Sequence, residues 1–73
     1  MATEVKSEIT GKVWKVEAAE GDSLAADDPI VILESMKMEI PIAAPAAGVV
    51  TEILVVEEDV VNEGDVVALF EAS

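Results

Sequence analysis

The sequence predicts an all-β domain, either a sandwich or a barrel of short strands. Segments rich in Val, Ile and Leu alternate with turn signals that recur about every eight to twelve residues. The turn signals are clusters of Gly, Pro, Asp and Asn at residues 20–22, 27–29, 44–48 and 62–65. No helix is expected, because Pro45 interrupts the one alanine-rich stretch, residues 43–47.

Four segments carry the strand signal most clearly, namely residues 30–33, 38–42, 48–56 and 66–70. Val, Ile and Leu dominate them, as is typical of strands. Residues 38–42 alternate between large apolar and other side chains, which is the period of a half-buried strand and places Met38 on the inward face. Trp14 lies in an earlier β segment, where a part-buried strand residue is favoured over a binding aromatic.

The chain repeats itself once, with an offset of 37 residues. Residues 11–34 align with residues 48–71 without a gap, with six identities and with conservative apolar pairs in the same order. Such a match is typical of two copies of one supersecondary unit. The expected organisation is a single domain, residues 1–73, with halves of residues 1–36 and 38–73. A pseudo-two-fold axis would then place Lys37 at one pole and the chain termini at the other.

Composition argues against several classes of function. The net charge is −12, from 16 acidic and 4 basic side chains, and it opposes nucleic-acid binding because phosphates would be repelled. The 73 residues include no histidine and no cysteine, so the commonest general base, metal ligands and thiol nucleophile are missing. We therefore expect neither an independent enzyme nor a metal site.

The sequence also predicts the environment of the protein. The longest strictly apolar run, residues 66–70, is too short for a transmembrane helix, and the N-terminus lacks the pattern of a signal peptide. A chain without cysteine suits a reducing compartment. We expect a cytoplasmic protein that contacts no membrane and that is monomeric when free, because its net charge is large.

Residues 34–40, with the sequence ESMKMEI, are the most informative segment of the chain. Strand-like segments flank them, so a hairpin with its tip at Met36 and Lys37 is expected. Hairpin tips normally use Asn, Gly, Asp or Pro, and the use of other residues indicates a functional constraint. An isolated lysine would be an ordinary surface residue. Lys37, however, coincides with the junction of the repeat, which favours an amine presented for modification by another protein.

The run Glu34-Ser35-Met36-Lys37-Met38-Glu39 resembles the biotin-attachment motif of biotin carboxyl carrier domains, whose core is Met-Lys-Met. Residues 41–50 and 62–67 resemble the same family, and in length the chain is closest to the short single-domain biotin/lipoyl attachment proteins. The resemblance implies a flattened β-barrel of two four-stranded antiparallel sheets with quasi-two-fold symmetry. The short step from Gly11 to Gly21 leaves no room for the thumb loop of some family members.

The resemblance also implies a function. A biotin protein ligase would join biotin to Lys37 as an amide, after which a biotin carboxylase and a carboxyltransferase would load and unload a carboxyl group. The carrier would contribute tethering and leave the chemistry to the cofactor and its partners. The residues implied in ligase recognition are Glu34, Ser35, Met36, Met38 and Glu39.

Two alternatives to a biotin carrier remain open. A lipoyl carrier would share the fold, but lipoyl domains usually hold their lysine in an Asp-Lys-Ala-like context, which Met36 and Met38 disfavour. The other alternative is an unmodified structural or interaction domain that kept the fold.

The sequence departs from the family pattern at two turns. Asp27 stands where the second half has Gly64, and Asp is expected to substitute there because it tolerates left-handed backbone angles. Glu58 stands where the first half has Gly21, and we expect a different local turn at that position.

Overall fold

The fold is all-β, as the sequence predicts. A computed structural model describes residues 2–72, which form eight strands and no helix. The strands are β1 (Ala2–Lys6), β2 (Gly11–Val16), β3 (Ser23–Leu24), β4 (Pro29–Ser35), β5 (Met38–Ala43), β6 (Gly48–Ile53), β7 (Val60–Val61) and β8 (Val66–Ala72). Within these described residues, no helix is long and apolar enough to cross a membrane.

The strands form two four-stranded antiparallel sheets, in the orders β1-β8-β6-β3 and β5-β4-β2-β7. An offset of 37 residues converts the bounds of β2, β3 and β4 into those of β6, β7 and β8. The register shift around Trp14 in β2 has its counterpart around Thr51 in β6. The shift around Ile30 in β4 likewise has its counterpart around Val67 in β8. The two sheets are therefore built alike.

The core lies between the sheets and is entirely apolar apart from Ser7. Its largest fully buried side chains are Phe70, Ile30, Leu33, Val13, Val31, Val50, Val61 and Val67. Each such burial stabilises the fold by roughly 1.5–3 kcal/mol before the entropy of ordering is subtracted. The buried Ser7 hydroxyl has a hydrogen-bond partner nearby in the chain, because it donates to the carbonyl of Ile9 (2.5 Å).

Four aspartates close the turns that lead into the short edge strands and into β4 and β8. The Oδ2 atom of each accepts the N–H of the residue three positions earlier, at 2.9–3.0 Å. The four aspartates are Asp22, Asp28, Asp59 and Asp65. Because Asp22 and Asp59, like Asp28 and Asp65, lie 37 residues apart, the two halves use the same turn chemistry.

The expectation of a different turn at Glu58 is wrong. Glu58 has φ 81°, close to the φ of 91° at Gly21. The Glu58 N–H donates to the carbonyl of Val13 (2.9 Å), and the equivalent Gly21 N–H donates to that of Val50 (2.7 Å). These bonds and the aspartate cap hold the turn although Glu is ill suited to left-handed angles. Asp27, with φ 72°, does take the place of a glycine, as expected.

Strand β6 is shorter than predicted. It ends at Ile53, and residues 54–56 leave the sheet although all three are apolar. The Leu54 N–H donates to Val67 O (2.9 Å), and the chain then bends into the turn that Asp59 closes. Apolar composition overestimated the strand because the turn, rather than hydropathy, sets its end.

The domain is elongated, with extents of 34 × 17 × 17 Å. Ala2 lies opposite Glu71, so the start of the first strand is next to the end of the last strand. From β1 the chain passes to Gly11, which packs against the backbone of Glu34 near the tip of the β4–β5 hairpin. The described ends of the chain and the hairpin tip therefore lie at opposite poles.

Candidate functional site

Strands β4 and β5 form a hairpin whose loop is only the two residues Met36 and Lys37. Both have positive φ, 52° and 65°, and Ser35 pairs directly with Met38 below them. Positive φ at both central residues defines the type I′ geometry that suits the twist of a two-residue hairpin. Left-handed angles cost residues with a Cβ roughly 1–2 kcal/mol each, and Asn-Gly would normally occupy this turn. The local energetics therefore oppose Met-Lys here.

The hairpin tip is exposed. Met36 is 92% exposed and Met38 is 63% exposed, and Lys37 is exposed between them. The inward placement expected for Met38 is wrong. Exposure falls along β5 from Met38 through the half-buried Ile40 to the buried Ile42, because the core does not reach the tip.

Carboxylates surround the base of the tip. Glu34 on β4 lies directly opposite Glu39 on β5, and both are exposed. Like charges in directly opposed positions destabilise a sheet. The ion pairs found among residues 2–72 are Lys6–Glu4, Lys12–Glu58 and Lys15–Glu17, so Lys37 takes part in none of them. Its amine is the cationic end of an otherwise acidic tip.

This geometry fits a group that is attached covalently to the Lys37 amine. Amide formation at Nζ needs access from solvent and a nitrogen that is not committed to an ion pair, and Lys37 meets both conditions within the described residues. The two antiparallel strands below give the amine a stiff support. The site can therefore be entered by another protein from the end of the molecule.

The comparison with protein families decides what class of domain this is. A family model described as "Biotin-requiring enzyme" matches residues 1–70 of the chain. The chain belongs to the biotin/lipoyl attachment family. The resemblance noted in the sequence is thereby confirmed, as is its fold of two four-stranded antiparallel sheets.

Two short proteins of this family match the biotin/lipoyl domain along most of its length. The biotinylated protein TB7.3 homolog of Mycobacterium leprae is 45% identical over 69 residues, covering 94% of this chain and 97% of the relative. The biotin/lipoyl attachment protein of Bacillus subtilis is 48% identical over 62 residues, covering 85% of each chain.

A large enzyme contains a segment with the same structure. The Kluyveromyces lactis urea carboxylase matches this domain with a TM-score of 0.92 and 41% identity, over 97% of this chain and 6% of the enzyme. Together with the biotinylated relative, this match identifies the biotin/lipoyl domain as a biotin carboxyl carrier domain whose covalent cofactor is biotin.

Two features of the carrier's tip were not predicted from the sequence. One is the left-handed conformation of both turn residues, and the other is the opposition of Glu34 and Glu39. The opposition of Glu34 and Glu39 could have been predicted from the sequence, because a two-residue loop fixes the register of the two strands that it joins.

Proposed function

We propose that Lys37 is the residue that carries biotin, as an amide of its Nζ atom. The observation that supports this proposal is the placement of an exposed, unpaired amine on a two-residue turn that carries backbone strain. Strain at an exposed turn does nothing for stability and indicates a functional requirement.

The carrier brings one group to two active sites. Biotin, when bound, supplies the nitrogen that accepts a carboxyl group from a biotin carboxylase and gives it up at a carboxyltransferase. The chain contributes a tether that raises the local concentration of the group at each partner. We propose that catalysis resides in these partners and that residues 1–73 act as one carrier domain.

The residues around Lys37 are proposed to guide the ligase. Met36 and Met38 expose apolar side chains that the core does not use, and Glu34 and Glu39 expose carboxylates on either side of the hairpin. Ser35 is half-buried at the end of β4 and pairs with Met38, so it sets the position of the turn.

We also propose that the carrier is monomeric when free and that it works in the cytoplasm. The net charge of −12 on a small domain supports the first proposal, because copies repel each other. The cysteine-free sequence suits reducing conditions, which supports the second. Sedimentation and cell fractionation test these two points.

The first test is the substitution Lys37→Arg, which keeps the charge but removes the acylable amine. Incubated with biotin protein ligase, ATP and biotin, the unmodified domain should gain the mass of one biotinyl group, and Lys37→Arg should gain none. Lys6→Arg is the control, because Lys6 is an exposed lysine on the sheet that does not carry the hairpin, and it should be labelled normally. Capture of Lys37→Arg by avidin would show that the attachment site lies elsewhere.

A lipoyl group is the second candidate, since the B. subtilis relative bears the name biotin/lipoyl attachment protein. Intact mass of the protein from its native host separates biotinyl from lipoyl. The absence of either mass would favour an unmodified domain.

A further inference from the structure

The pseudo-two-fold symmetry supplies an internal control for the surface of the domain. The outer face of the sheet that carries the hairpin, the tip-side face, has an equivalent on the other sheet, the terminal-side face, whose residues include Ser23, Val49, Thr51, Glu52, Leu69 and Glu71. Equivalent positions on the two faces have the same structural environment in the fold. A side chain that differs between them is therefore explained by function rather than by folding. The residues of the tip-side face are Lys12, Trp14, Lys15, Ile32, Glu34, Glu39, Pro41 and Val60.

Cross-strand pairing fixes the order of side chains on the tip-side face. Val60, Lys12, Glu34 and Glu39 are successive partners across β7, β2, β4 and β5. Paired residues project from the same side of a sheet, so these four form one row just below Lys37. Lys15, Ile32 and Pro41 form the next row.

The two faces differ most along β2 and β6. Trp14 occupies the irregular position of β2 and is 48% exposed, whereas Thr51 occupies the equivalent position of β6. The fold therefore accepts a small polar residue at this position. An exposed tryptophan that the fold does not require is typical of a contact residue at an interface.

The two positive charges of β2 also have no equivalent on β6. Lys12 and Lys15 occupy positions that Val49 and Glu52 hold on β6. Lys12 forms an ion pair with Glu58, and the hydrogen bond and charge of Glu58 raise the pKa of Lys12 above its ordinary value. The tip-side face thus has cations on β2 and, beside them, the carboxylates of the hairpin.

Trp14 lies between the lysines of β2 and the carboxylates of the hairpin. It lines a surface cleft of about 230 Å³ together with Lys12, Glu34 and Glu58. The cleft adjoins β4, the strand that ends at the hairpin tip, so a protein that contacts Trp14 also covers the strand that leads to Lys37.

We propose that the tip-side face is the docking surface for biotin protein ligase, with Trp14 entering an apolar pocket of the ligase. The matching ligase surface would carry a cation over Glu34 and Glu39, whereas Lys12 and Lys15 already have carboxylate partners in Glu58 and Glu17. This inference rests on the proposed function, because the ligase is chosen as the enzyme that must hold the bare amine. A lysine arm of four methylenes forces that enzyme against the domain, whereas a partner that meets the biotinylated arm can stand farther away.

The size of the face suits a transient complex. Four strands spaced about 4.8 Å apart give a face roughly 15–20 Å wide, and strands about 20 Å long give it an area of roughly 300–400 Å². This is less than the roughly 800 Å² per partner of a stable interface. An enzyme that must release its product benefits from a small contact with one dominant anchor.

The first experiment measures initial rates of biotinylation against carrier concentration with purified ligase, ATP and biotin. Trp14→Thr, which installs the residue of the equivalent position, should raise KM for the carrier about tenfold or more and leave kcat within about twofold. Thr51→Ala, the matched change on the terminal-side face, should leave both constants unchanged. Equal effects of the two variants, or no effect of Trp14→Thr on KM, would overturn the proposal.

The second experiment does not depend on labelling. The carrier Lys37→Arg, labelled with ¹⁵N, is titrated with ligase, and amide shifts are mapped. Shifts should spread from the hairpin over residues 12–15, 32–34 and 58–60 and spare residues 49–52 and 69–71. Shifts confined to the hairpin would refute the docking surface. Labelling of Lys37→Arg would refute the proposed attachment site while leaving the shift map to decide the docking surface.

Discussion

At Met36 and Lys37 the backbone adopts left-handed angles with two long side chains, in a turn where Asn-Gly would be most stable. Over residues 2–72, the other non-glycine residues with positive φ are Asp27 and Glu58, which lie in turns that aspartate caps close. The proposed attachment of biotin at Lys37 accounts for this residue-scale strain at the tip. Under that proposal, the turn sequence serves recognition at the expense of stability.

This trade-off predicts the effect of Met36→Asn. Asn accepts left-handed angles, so the free energy of unfolding should rise by about 0.5–1 kcal/mol. The rate of biotinylation should fall, because the exposed thioether is lost. Chemical denaturation and the ligase assay measure the two effects, with Met36→Leu as the control for stability. A variant that gained no stability would show that the turn carries no strain at Met36.

At the scale of elements, glycines set how closely the strands approach. Gly48 begins β6 and lies against β8, where a Cβ atom would clash with the carbonyl of Glu71 and come within 2.8 Å of the Phe70 ring. Gly11 begins β2 and lies close to β4 as well, although less tightly, because a Cβ there would come within 2.8 Å of the Glu34 carbonyl. These close approaches hold the central strands of both sheets, and Gly11 braces the base of the hairpin.

The close approach at Gly48 predicts that Gly48→Ala destabilises the domain. Overpacking against backbone and a buried ring should lower the free energy of unfolding by about 1–3 kcal/mol. Urea unfolding followed by Trp14 fluorescence measures it, since Trp14 is the single tryptophan. Thr51→Ala, at an exposed position of the same strand, is the control and should change stability little. If Gly48→Ala unfolded at the same urea concentration as the parent, the prediction would be wrong. Strands β6 and β8 would then be able to move apart and fit the methyl group without loss of stability.

The whole molecule is a small, elongated body with a net charge of −12. Among residues 2–72 three exposed ion pairs offset a small part of that charge, and such pairs stabilise weakly. Self-repulsion therefore opposes the compact state, while it also keeps copies of the carrier apart. Within this acidic surface, Lys37 at the tip is a local cation that a partner protein can recognise.

Self-repulsion predicts that added salt stabilises the domain at pH 7. Raising NaCl from about 0.01 to 0.5 M shortens the screening length from about 30 Å to a few ångströms, so Tm should rise by several degrees. Calorimetry at each salt concentration measures the shift. Near pH 4.1, the isoelectric point, the dependence should nearly vanish. A Tm that fell with salt at pH 7 would mean that attractive pairs outweigh repulsion.

Much of the fold followed from local rules. The turn signals at residues 20–22, 27–29 and 62–65 lie where the chain turns, because Asp and Gly encode those bends directly. The end of β6 and the exposure of Met38 were missed, since hydropathy does not show where the core stops. The Glu58 turn was missed because the surrounding hydrogen bonds override the preference of a single residue.

The sequence by itself determined the class of the fold, the family and the candidate lysine, because periodicity, turn chemistry and a short motif are local and survive without coordinates. Only the tertiary structure decided that the hairpin tip lies beyond the core and that Trp14 stands exposed on the same face as Glu34 and Glu39. Those relations join residues far apart in the chain, and strand register and packing between sheets create them.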